Sequence, residues 1–141
     1  MRRVIFAALL IQLLHGPALA ELVIRGSSGG EVTGYIELFS DIRKSGERVV
    51  IDGPCLSACT LVLSIVPRDR ICVTPRAILG FHAARWMDRE GRFYPAPEPT
   101  RVVTSTYPGP VRDWIRRRGG LSTKLMLLKG NELNGMYSRC G

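Results

Sequence analysis

Residues 53–67 read GPCLSACTLVLSIVP, and this stretch decides the fold. It follows Arg48 to Asp52, a valine- and isoleucine-rich run with the composition of a strand. After the Gly53-Pro54 break, Ala58, Leu61, Val62 and Ile65 share one face of a short helix that Pro67 terminates. Ser57 therefore stands where a strand turns into a helix, with the small residues Ala58 and Cys59 after it. The positive end of a helix dipole favours developing negative charge, so a serine there suits a nucleophile. An ordinary helix cap would use the same residue type.

Working outward, the pattern alternates. Leu22 to Arg25 reads as a strand and Gly26-Ser27-Ser28-Gly29-Gly30 as a loop whose glycines allow close backbone approach. Val32, Tyr35, Ile36, Phe39 and Ile42 form the stripe of an amphipathic helix that Ser45-Gly46 stops. On the other side, Ile71 to Val73 and Ile78 to Phe81 read as short strands, the second delivering His82 at its end. This βαβαββ order predicts an α/β layer with parallel pairing. From Trp86 to Pro110 five prolines and the lack of a period predict a long loop. Val111, Trp114 and Ile115 mark a helix ending at Gly119-Gly120, and Ser122 caps an expected further helix through Leu128.

The 141 residues are 45% hydrophobic and 23% charged, the composition of one small globular domain without repeats. Arg2 and Arg3, the apolar run Val4 to Leu14 and the small-residue end Ala18-Leu19-Ala20 have the plan of a cleaved signal peptide over residues 1–20. The run is too short for a transmembrane anchor, and no later stretch is long and apolar enough to span a bilayer. Residues 21–141 are then a single exported domain, periplasmic in a bacterium, and removal of Arg2 and Arg3 takes the net charge from +8 to +6. The basic residues, with Arg116-Arg117-Arg118 as the densest cluster, are not interleaved with aromatics, so nucleic acid is not the expected partner. They read as a solvated face, with anionic lipid as an alternative contact.

Cys55, Cys59, Cys72 and Cys140 make an even set, which in an oxidising compartment suggests two disulfides with three possible connectivities. Their spacing lacks the paired knuckles of a zinc site and contains no C-x-x-C, so neither a metal nor a redox motif is read, and no cofactor is implied. His82 is the only histidine outside the leader. It is thus the only imidazole that can serve Ser57 as a base, and the glycine loop ends a neighbouring strand where backbone N–H groups can bind an oxyanion.

Three ordered motifs carry a resemblance. Ser28-Gly29-Gly30-Glu31-Val32 after a strand, Cys55-Leu56-Ser57-Ala58-Cys59 opening a helix and Leu79-Gly80-Phe81-His82 at a strand end resemble the ClpP/crotonase-like superfamily, in particular its exported, periplasmic bacterial branch. The similarity runs over about residues 22–84 and more loosely through the C-terminal helices to Tyr137. It implies a spiral of short strand-helix units with C-terminal helices, truncated here because the exported chain begins at the strand before Gly29-Gly30. It also implies a serine peptidase or hydrolase acting on a peptide or protein substrate through an acyl-enzyme. Ser57 maps to the nucleophile and His82 to the general base, while the N–H groups of Gly30 and Ala58, beside Gly29, map to the oxyanion hole. A homo-oligomer is implied too, since such proteins commonly assemble and an uncovered sheet edge invites pairing.

The chain departs from that family in its acid. The stretch that should carry an aspartate reads Lys124-Leu125-Met126-Leu127, shortly before an expected short helix Glu132 to Tyr137. The remaining acids after His82 are Asp88, Glu90, Glu98, Asp113 and Glu132, none of which the sequence places against the imidazole. A ClpP-like module without catalysis, binding peptides or assembling in the envelope, is the alternative reading. Within the resemblance, bridges from Cys55 and Cys59 to Cys72 and Cys140 would pin the nucleophile turn to the next strand and to the C-terminus.

Overall fold

Short apolar runs separated by glycine and proline breaks build this fold, and each run is too short to be stable without its neighbours. The computed structural model describes residues 20–141. The expected leader, Ala20 aside, lies outside the described residues. Leu22-Val23-Ile24 lie in strand β1 (Glu21–Ile24), and the glycine loop leads into helix α1 (Val32–Ser45). The Glu31 carboxylate caps α1 by accepting from the N–H groups of Thr33 and Gly34 at 2.8 and 2.9 Å, and these bonds hold it below the usual carboxylate range. Gly46 closes the helix in the left-handed region at φ +81°. Phe39 and Ile42 are buried as the stripe predicted, and Tyr35 is half-buried. Val32 and Ile36, expected in the same stripe, are exposed, and neither belongs to the core cluster.

Strand β2 (Arg48–Ile51) follows, then β3 (Pro54–Leu56), a 3-10 turn (Ser57–Leu61), helix α2 (Val62–Ile65) and strands β4 (Ile71–Val73) and β5 (Ile78–Phe81). β1, β2 and β4 pair in parallel, as the alternating pattern predicted, with Leu22 beside Val49 and Val49 beside Ile71. Strand β3 pairs in parallel with β5, placing Cys55 opposite Leu79. The core gathers Ile24, Val49, Ile51, Ile71 and Val73 from the first sheet with Val62, Leu63, Leu79 and Phe81 from the second layer. Mixed α/β architecture from short strands and helices is thus what the chain forms.

Three expectations are corrected. The segment 86–110, expected to be a loop, contains a hairpin of β6 (Arg85–Met87) and β7 (Phe93–Pro95), and then helix α3 (Pro97–Thr106). Pro97 and Pro99 sit in the first turn of α3, where a missing N–H breaks no helical bond, so they start the helix. Helix α4 (Gly109–Arg117) comes next as expected, its Trp114 packing on Phe81 with ring centroids 5.9 Å apart. Residues expected to form a helix after Ser122 form strand β8 (Met126–Lys129), antiparallel to β5. Leu128 is buried opposite Leu79, and this long-range pairing outweighs the local helix signal. Helix α5 (Gly130–Asn134) and a two-residue strand β9 (Ser138–Arg139), parallel to β4, complete the chain.

The third correction concerns the cysteines. The disulfides are Cys55–Cys59 and Cys72–Cys140, so no bridge ties the Ser57 turn to β4 or to the C-terminus. The 3-10 turn brings the Cα atoms of Cys55 and Cys59 to 5.3 Å, while β9 beside β4 brings those of Cys72 and Cys140 to 5.0 Å. No described helix is long and apolar enough to cross a membrane. Replacing Cys72 and Cys140 together by alanine is expected to lower stability by about 4 kcal/mol, the chain-entropy value for a closed loop of 68 residues. Chemical denaturation of the oxidised proteins measures this, and a loss below about 1 kcal/mol would contradict it.

Candidate functional site

The glycine loop and the Ser57 turn are laced together by backbone bonds. The Ser27 N–H donates to the Pro54 carbonyl at 2.8 Å and the Leu56 N–H to the Ser27 carbonyl at 2.9 Å, a parallel bridge that lays the loop beside the end of β3. The Ser27 hydroxyl accepts from the Gly29 N–H at 3.3 Å and shares a 2.7 Å bond with the Tyr35 hydroxyl, which ties the loop to α1. Gly29 has φ +81°, and a Cβ there would stand 2.5 Å from the Ser57 Cβ and 3.0 Å from the Ala58 N. Only glycine allows this approach. Gly30, at φ +156°, meets nothing nearer than Tyr35 at 3.9 Å, so its surroundings are open.

Ser57 is the one non-glycine residue at positive φ among the described residues, at +55°. Such a conformation is sparse for a residue with a Cβ and persists when its surroundings over-determine it. The surroundings here are Gly29 above the turn, the Cys55–Cys59 bridge spanning it and Thr60 below it. Thr60 Oγ1 donates to the Ser57 carbonyl at 2.7 Å and accepts from the Tyr107 hydroxyl at 2.6 Å. Both are buried, and burial pushes the Tyr107 phenol above its ordinary pKa, so it remains a neutral donor.

His82 follows β5 and is half-buried, lining the same cleft as Ser57 and Ala58. Its Nδ1–H donates to the Ala83 carbonyl at 2.7 Å. A carbonyl only accepts, so this bond fixes the neutral tautomer and leaves the lone pair on Nε2. The two side chains share the cleft without a direct hydrogen bond between them. None of the five acids left open by the sequence reaches the imidazole. Asp88 and Glu90 pair with Arg92, Glu98 with Arg101, Asp113 with Arg116 and Glu132 with Arg118. The partner of Nδ1 is the Ala83 carbonyl, a backbone oxygen that no side-chain pattern announces. Thr60 was similarly silent, although a threonine three residues after a turn residue is a known back-bonding signal.

All four cysteines are paired, so none is a free thiol nucleophile. Among the described residues no group of three or more His, Cys, Asp or Glu side chains could hold a metal ion.

No family model and no curated protein matches the sequence. Among solved structures the chain is similar to a ClpP1 mutant from Listeria monocytogenes, with a TM-score of 0.52 and 18% identity over 82% of this chain and 68% of that one. The fold is ClpP-like, as the motifs implied.

Gly29→Ala is expected to cost about 1–3 kcal/mol through overpacking against the Ser57 turn. Gly26→Ala, which meets open space, is expected to stay within about 0.5 kcal/mol of the parent. Urea unfolding midpoints of the two variants test the contact, and equal stabilities would contradict it.

Proposed function

We propose that the chain is a ClpP-like serine hydrolase of the peptidase type, with Ser57 as nucleophile and His82 as general base. The observation that carries this reading is the φ of +55° at Ser57, at a strand-to-helix turn facing the cleft that His82 also lines. A turn of that kind lifts a serine side chain clear of its own backbone, the geometry of a nucleophile elbow.

In the proposed reaction the Ser57 Oγ attacks a substrate carbonyl carbon as its proton passes to His82 Nε2. The imidazolium keeps its Nδ1–H on the Ala83 carbonyl. The oxyanion of the tetrahedral intermediate accepts from the N–H groups of Gly30 and Ala58. Collapse expels the leaving group, which takes the proton from His82, and leaves Ser57 acylated. Water, deprotonated by His82, then releases the acid and restores the serine. A carbonyl dipole stabilises the imidazolium less than a carboxylate does, so a slower enzyme than one with a full triad is expected.

Export belongs to the same proposal. Two disulfides in a chain of this size are compatible with an oxidising, extracytoplasmic compartment, and the signal-like residues 1–20 supply the route. Self-association is proposed as well. Strand β1 forms one edge of its sheet, and the β6–β7 hairpin exposes Trp86, Met87, Phe93 and Tyr94. Light scattering at micromolar protein should report a species larger than one chain, and a monodisperse monomer would contradict it.

Labelling of the oxidised protein by a fluorophosphonate probe tests the hydrolase. Wild type should label, Ser57→Ala should not, and His82→Ala should label about 10²–10⁴-fold more slowly. Absence of label on folded wild type would favour the alternative, a ClpP-like module that binds or assembles without catalysis.

A further inference from the structure

The cleft beside Ser57 has a volume of about 60 Å³. A cavity of about 150 Å³ admits a benzene ring, and the space in this cleft is less than half of that. Scaled from the six carbons of benzene in about 150 Å³, it holds roughly two to three carbon atoms. Its walls include Val32, Leu61, Ala84, Val103 and Leu121, and no Asp, Glu, Lys or Arg lines it.

The polar side chains in the wall are already engaged. Thr60 and Tyr107 bond each other and the Ser57 carbonyl, so neither turns toward a ligand without breaking a buried bond. Thr100 Oγ1 donates to the Ala96 carbonyl at 2.7 Å and accepts from the Ala84 N–H at 2.9 Å. The Nδ1–H of His82 is held by Ala83. What remains to meet a bound group is an apolar wall beside the Ser57 hydroxyl and the His82 Nε2. The network also fixes the depth of the cleft, because the buried Tyr107 ring that helps to line it is anchored through its hydroxyl.

We propose that this cleft selects a small apolar acyl group, with one to three carbon atoms beyond the reacting carbonyl. An alanine residue on the acyl side of a scissile bond, with its Cα and Cβ, satisfies the same limit. This inference rests on the hydrolase reading of Ser57 and adds its specificity. Val103 from α3 and Leu121 from the loop after α4, both half-buried, line the cleft from two separate segments. A charged or strongly polar acyl group would be desolvated there without a partner.

The test uses p-nitrophenyl acetate, butyrate, hexanoate, octanoate and benzoate with the full oxidised protein, alongside fluorophosphonate labelling of Ser57. Each methylene that a pocket cannot accommodate is worth about 10–200-fold in kcat/KM. Hexanoate should therefore fall at least about tenfold below butyrate, and octanoate and benzoate further. Val103→Ala and Leu121→Ala should each raise the hexanoate-to-butyrate ratio by about tenfold or more, and having two variants guards against one that folds poorly. Labelled Ser57 with octanoate or benzoate turned over as fast as butyrate, or a profile unmoved in both folded variants, would overturn the specificity and leave the hydrolase standing. No label and no turnover of any ester would remove the hydrolase reading and this inference together.

Discussion

A serine held at φ +55° by its neighbours is the constraint on which the rest of the site depends. A residue with a Cβ in the left-handed region costs of order 1–3 kcal/mol, and the local structure offsets that cost from several directions. The Leu56 N–H is fixed to the Ser27 carbonyl just before the turn, and Thr60 holds the Ser57 carbonyl just after it. Gly29 packs against Ser57 so closely that no side chain fits between them. The Cys55–Cys59 bridge closes the same five residues covalently and is itself buried in the core. Each contact alone is ordinary. Their convergence on one residue is what singles out the turn as the candidate site.

Sheet topology then brings the other parts to that turn. β1 runs parallel to β2, β3 runs parallel to β5, and a parallel bridge between Ser27 and Cys55 joins the two sets. The carboxyl ends of β1, β3 and β5 therefore point the same way, and from them emerge the glycine loop, Ser57 and His82. In open parallel sheets that end is where ligands bind, because loops diverge there and leave a crevice. The remainder of the molecule supports this arrangement: α4 covers β5 through Trp114 and Phe81, and Tyr107, just before α4, reaches back to Thr60.

Much of this was legible in sequence because it is local. Strands β1, β2, β4 and β5 and helices α1 and α4 announce themselves by apolar runs, spacing and glycine stops, and the strand-to-helix position of Ser57 followed from Pro54 and Pro67. What failed was partly non-local and partly a matter of backbone groups. Five prolines between Trp86 and Pro110 read as breakers, yet two of them start α3, a role decided by which N–H groups a helix leaves free. Met126 to Lys129 carries an apolar run that local periodicity cannot assign, and its pairing with β5 decides it. Disulfide connectivity depends on β9 reaching β4 across 68 residues, which spacing does not encode. The partner of the imidazole is a backbone carbonyl, and every residue has one.

The most direct test of this account is a crystal structure of the oxidised protein reacted with a short-chain phosphonate. The account predicts phosphorus bonded to Ser57 Oγ, the phosphonyl oxygen within about 2.7–3.1 Å of the Gly30 and Ala58 nitrogens, and His82 Nε2 drawn within hydrogen-bond distance of the serine oxygen. An adduct on another residue, or a phosphonyl oxygen turned to solvent with His82 unmoved, would contradict it.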